Sequence, residues 1–256
     1  ALLCEDPSLP MVQFAFALRY GSWADEDHQS GITHLLFELM ARGTKSKSRS
    51  QFNDAFEAMG SSLDICVSTG VAFFRCACLK RYLQPTLELL LEMLREPALD
   101  EEEFRVLVDE CQEELRSQRD EDEALVALFF RKYLYQGHRL GRASEGTVES
   151  LGALTLSDLK QLHQKRFHSS QHLWFFGGDF GSTCVLEFVE RAARELPGTP
   201  FEIPIVEPHT NSVPKIILVD KPDRTQVQTR IGTPIVSGLH QDADLIWLGA
   251  VAFGGI

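Results

Sequence analysis

Residues 31–44 read Gly31-Ile32-Thr33-His34-Leu35-Leu36-Phe37-Glu38-Leu39-Met40-Ala41-Arg42-Gly43-Thr44. Ile32, Leu35, Leu36, Leu39 and Met40 recur at helical spacing, which predicts a helix from about Gly31 to Ala41, stopped by Gly43-Thr44. His34 and Glu38 stand four residues apart, so both project from one face of that helix. Two side chains at this spacing can grip one metal ion, with a third ligand coming from elsewhere. The acidic run with Glu110, Glu113 and Glu114 is a candidate donor. From these residues alone, a hydrogen-bonded core histidine on an apolar helix is the commoner reading.

Upstream, Met11 to Tyr20 alternates (Val12, Phe14, Phe16, Leu18, Tyr20) and predicts a strand ended by Gly21-Ser22. Downstream, Ser50 to Met59 predicts a short amphipathic helix with Ser50 as N-cap and Gly60 as its stop. Leu63 to Leu79 predicts two strands around Gly70. Helices are expected over Tyr82 to Leu94, Asp100 to Gln118 (acidic in its first turn, where the dipole favours it), Asp122 to Tyr135, Ser157 to Phe167 and Thr183 to Leu196, with a buried strand at Leu173 to Phe176. Thr155-Leu156-Ser157-Asp158 supplies cap chemistry. Four prolines (Pro200, Pro204, Pro208, Pro214) mark a linker over 199–214. Strands at Lys215 to Val219 and Gln226 to Ile231 and a helix from near Asp242 then read as the opening of a second domain. The expected architecture is α+β: a mixed, mostly antiparallel sheet with helices on one face over residues 1–198, the linker, and the truncated beginning of a similar domain over 215–256.

The 256 residues are 44% hydrophobic and 24% charged, the balance of a globular chain. A net charge of −12 without a basic stripe argues against nucleic-acid binding. No apolar run is long enough for a membrane span. The opening Ala1-Leu2-Leu3-Cys4 has no signal-peptide character, and the compartment is unconstrained. The six cysteines lack C-x-x-C spacing and are expected to be buried free thiols, with Cys76 and Cys78 on one side of a strand. His163, His168 and His172 do not share a helix face and are expected at the surface.

The 31–44 stretch resembles the inverted zinc motif G-x-x-H-x-x-E-H-x-x-x-x-G-T of the pitrilysin, insulinase and mitochondrial processing peptidase family. Gly31, His34 and Gly43-Thr44 match in place. Gly21-Ser22 and Asp25 resemble the family's G-S-x-x-D/E segment. Gly137-His138-Arg139-Leu140-Gly141-Arg142 with Gly146-Thr147 and Ser150-Leu151 is similar to its G-H-P-L-G-R-x-x-x-G-T-x-x-x-I signature. Glu113-Glu114-Leu115 resembles the E-E-I segment, whose second Glu is the third zinc ligand. The resemblance runs through essentially the whole chain.

Two departures qualify what it implies. The family's general base activates a zinc-bound water, and here that position is Phe37. The second histidine ligand is Glu38, so the implied metal set is His34, Glu38 and Glu114, a degenerate, oxygen-rich site for zinc with no base beside it. The family's G-x-x-N-A edge segment, which pairs with substrate backbone, becomes Gly60-Ser61-Ser62-Leu63-Asp64-Ile65, with Asp64 and Ile65 at the two substrate-binding places. The resemblance therefore implies an inactive subunit that binds peptide or unfolded polypeptide and complements a homologous catalytic subunit, or a second copy of itself. A structural scaffold of the same fold and an active endopeptidase with a variant metal site are the alternatives.

Overall fold

The computed structural model describes residues 1–167, 171–196, 198, 215–222, 224–235, 238 and 240–252. The chain divides into two compact units, one of residues 1–121 with 142–207 and one of residues 122–141 with 208–256.

The first unit is built on a five-stranded sheet in the order β1-β5-β2-β4-β3. Its strands are β1 (Leu2–Glu5), β2 (Met11–Leu18), β3 (Ser62–Val67), β4 (Ala72–Leu79) and β5 (His172–Gly178). β2 runs antiparallel to β4 and β5, β3 antiparallel to β4, and β1 parallel to β5. Alternation sets the two faces. Val12, Phe14, Phe16 and Leu18 of β2 and Ala72, Phe74, Cys76 and Cys78 of β4 are buried, whereas Met11, Gln13 and Arg75 are exposed. The α+β expectation with a mostly antiparallel sheet is met.

The buried face is covered by helices. The helices of this unit are α1 (Ile32–Met40), α2 (Arg49–Ala58), α3 (Leu83–Arg95), α4 (Glu101–Gln118), α6 (Val148–Ala153), α7 (Leu156–Arg166) and α8 (Ser182–Glu195). The second unit by itself holds α5 (Asp122–Leu134) and α9 (Ala243–Ala252). α1 lies at the centre, packed against α4 and α7. Phe188 of α8 meets Trp174 of β5 edge-on, ring centroids 5.4 Å apart. No described helix is long and apolar enough to cross a membrane.

Several local expectations change. The N-cap of α2 is Ser48, not Ser50: Ser48 accepts the Gln51 N–H and the Gln51 side chain returns to the Ser48 N–H, a reciprocal box that Ser50 has no partner to form. The Thr155–Asp158 box on α7 forms as expected. Cys76 and Cys78 are buried together, but Cys4, Cys66 and Cys184 are exposed, because their positions fall on the open sheet face and the outer face of α8. The linker over 199–214 lies outside the described residues.

In the second unit Lys221 and Arg224 pair with Asp122 at 2.7 and 3.3 Å. The strands expected over 215–219 and 226–231 do not form among its described residues. Ile216, Leu218, Val227 and Ile231 are exposed. A strand exists through its ladder partners, and no described strand pairs with these segments.

Candidate metal centre and peptide edge

The N-terminus of α1 is held by side chains drawn from distant parts of the chain. Gly31 sits at φ +93°, and a Cβ there would lie 2.6 Å from the Glu145 carbonyl oxygen, so only glycine fits. Asp25, 1% exposed, takes the capping role that Gly31 cannot. Its Oδ2 accepts the N–H groups of Gly31 and Thr33 at 3.2 and 3.4 Å, and its Oδ1 accepts the Thr33 hydroxyl at 2.5 Å. Burial pushes the Asp25 carboxyl up to about 6, against the pull of those hydrogen bonds and of Arg166. Arg142 donates to the Asp25 carbonyl and to the Asp27 carboxylate, both at 2.9 Å. Ser150 donates to the Ser30 carbonyl at 2.8 Å, and Gly146, at φ +85°, comes close to the same oxygen. Asp25, Arg142, Gly146 and Ser150 thus share one job, holding the loop that leads into α1 and fixing where that helix starts.

Along α1 the faces diverge. Phe37 is fully buried, stacked on Phe74 at 4.6 Å between centroids and tilted against Phe167 at 5.9 Å. Its side chain contributes roughly 2–3 kcal/mol by burial alone. His34 and Glu38 lie half-buried on the adjoining part of the helix surface. Burial raises the Glu38 carboxyl; the charges of His34 and Arg42 lower it, and those of Glu114 and Glu110 raise it. His34, Glu38 and Glu114 therefore share one electrostatic neighbourhood, although Glu114 on α4 is exposed.

The same neighbourhood contains two residues that the motif does not announce. Arg42, one turn beyond Glu38, pairs with Glu103 at 3.3 Å and with Glu110. Cys111 is buried on α4, and burial, then Glu38 and Glu114, push its thiol up to about 11. Arg42 was legible in sequence as the i+4 partner of Glu38; Cys111 carried no such signal. Among the described residues, no group of three or more His, Cys, Asp or Glu is arranged to hold a metal ion. The residues present do not fit a zinc site as they stand: His34, Glu38 and Glu114 are not gathered into a ligand set, and Glu110, another carboxylate of α4, is bound to Arg42.

Among the described residues β3 is one of the two edge strands of the sheet. Asp64 lies opposite Arg75 of β4 and accepts its Nε and Nη2 at 3.2 and 3.0 Å on the open face. Ile65, half-buried, points to the helix side and packs against the core. The histidines depart from expectation. His163 is buried with Nε2 2.7 Å from the Leu94 carbonyl oxygen, and half-buried His172 has Nε2 2.8 Å from that of Phe167. Each satisfies a carbonyl at the end of a helix, a role that sequence spacing does not reveal. His168 lies outside the described residues.

A family profile described as "Insulinase (Peptidase family M16)" matches residues 1–148. The chain is 26% identical over 240 residues to the non-peptidase homolog YmxG of Helicobacter pylori, spanning 93% of this chain and 55% of that protein. It is 26% identical over 175 residues to the probable mitochondrial-processing peptidase subunit beta of Schizosaccharomyces pombe, spanning 67% of this chain and 37% of that protein. The peptidase M16 inactive domain from Pseudomonas fluorescens matches with a TM-score of 0.76 at 22% identity, over 81% of this chain and 50% of that one. The chain spans about half the length, or less, of these curated relatives.

Proposed function

The chain belongs to the insulinase family of peptidases, family M16, and from that membership we propose that it is a catalytically silent member that holds extended polypeptide beside a homologous partner bearing an intact H-x-x-E-H helix. The observation that carries this reading is Phe37. The position where the family places its proton acceptor is a fully buried ring stacked on Phe74. A phenyl ring takes no proton, so the site lacks the group that would accept the proton of the attacking water.

Supporting observations agree with it. A relative over nearly the whole chain is named a non-peptidase homolog, and a solved structure of the same fold is an inactive domain. Among the described residues the β3 edge offers unpaired backbone groups for an added strand, with Leu63, Ile65 and Val67 half-buried on one side and Asp64 on the other. The partner is proposed by analogy with the beta subunit that the chain resembles.

The test uses a fluorescently labelled unstructured peptide, read by anisotropy for binding and by mass spectrometry for cleavage. Binding without cleavage, followed by cleavage when a homologous zinc-bearing subunit is added, is the expected result. Absence of any binding would favour a purely structural scaffold instead.

A further inference from the structure

Arg42 stands at the C-terminal end of α1 with its side chain only 10% exposed. Its Nη1 lies 3.3 Å from Glu103 Oε2 and its Nη2 is hydrogen-bonded to Glu110, both on α4. Arg49 reaches the same Glu103 oxygen at 3.2 Å. The guanidinium thus holds Glu103 and Glu110, and its charge also acts on Glu38, as do those of His34, Glu114 and Glu110. Glu38 and Glu103 are half-buried while Glu110 and Glu114 are exposed, and like charges gathered beside half-buried carboxylates repel one another and favour a cation nearby. In a metallopeptidase an ion would bring that charge. Here a side chain just beyond the end of the motif helix brings it.

We propose that Arg42 is the built-in cation of this cluster, bridging α1 to α4 and compensating the carboxylates around Glu38, so that the cluster is closed to zinc and other divalent ions. Three features make the exclusion chemical. Glu110 is engaged by the guanidinium and is not free to turn toward a metal. His34, Glu38 and Glu114 are not gathered into a ligand set. A divalent ion beside Glu38 would also stand near a fixed positive charge that cannot be removed by deprotonation. The planar fork suits this work, since it binds two carboxylates at once where an ammonium is a point charge. The inference does not depend on whether the chain binds peptide.

The test is equilibrium dialysis of the full chain against zinc, with elemental analysis of the protein. The chain is expected to retain less than about one zinc per ten molecules, and Arg42→Met to hold zinc at least about tenfold more tightly. Adding His34→Ala to Arg42→Met should abolish the gain, which assigns the metal to this cluster. Near-stoichiometric zinc on the unaltered chain overturns the proposal, as does a folded Arg42→Met chain that gains none, or a gain that survives His34→Ala. Should Arg42→Met fail to fold by circular dichroism, Arg42→Met with Glu110→Gln removes one charge of each sign together. Zinc gained by that pair supports the proposal, and its absence overturns it.

Discussion

Phe37 and Phe74 lie face to face, their ring centroids 4.6 Å apart and their planes 11° from parallel. One belongs to the helix that carries the family's metal motif and the other to β4 in the sheet beneath it. The stack, with Phe167 beside it, means that the surroundings of position 37 are apolar as well as the residue itself. The proposed catalytic silence would therefore rest on a packed piece of core.

Restoring the motif letters should not restore the enzyme. Phe37→Glu with Glu38→His places a carboxylate among aromatic rings and removes the stack, at a cost of about 4 kcal/mol. Phe37→Leu, which keeps an apolar group of similar size, should cost about 1 kcal/mol. Urea unfolding measures both. A double variant as stable as the parent would contradict this account of position 37.

Asp25 predicts a pH dependence of definite sign. Burial lifts its carboxyl from 3.8 to about 6, so the folded chain binds this proton more tightly than the unfolded chain does. The contribution is complete below 3.8 and is lost as pH rises through 6. The full swing is about 3 kcal/mol. Asp25→Asn should flatten the stability profile across that window; an unchanged slope by denaturant titration would show that another group causes it.

Glu92 predicts the opposite sign. Burial pushes its carboxyl up, but Lys47 at 2.7 Å, Ser46, and Thr44 at 2.6 Å together hold it at about 2. Its contribution is present above 4.5 and fades as pH falls toward 2. The group is partly solvated, so Glu92→Gln should cost only about 1 kcal/mol at neutral pH. Losing that difference on acidification is the check.

A peptide that adds to β3 binds through its main chain. N-methylation of alternate amides on a bound peptide should weaken binding by about tenfold or more in one register and little in the other, since only every second N–H faces the strand. Equal weakening in both registers, or none in either, would place the peptide elsewhere.

Much of this was legible in the sequence. The period-two burial of β2 and the helical spacing of α1 predicted the core elements and their faces, because both patterns are local. β1 was missed: Leu2–Glu5 is short, Leu2 is largely exposed, and its pairing with Phe175 to Gly178 is set by residues far along the chain. The run from 215 to 231 failed in the other direction, since β-branched residues signal a strand only where a partner is present. At the candidate centre, spacing points to His34 and Glu38, and the resemblance alone points to Glu114. The hold of Arg42 on Glu110 required α1 and α4 to be seen side by side.

The most direct test of catalytic silence is incubation of the purified chain alone with an unstructured peptide, with and without a chelator, followed by mass spectrometry. The account predicts intact peptide under both conditions. Cleavage that the chelator abolishes would contradict it.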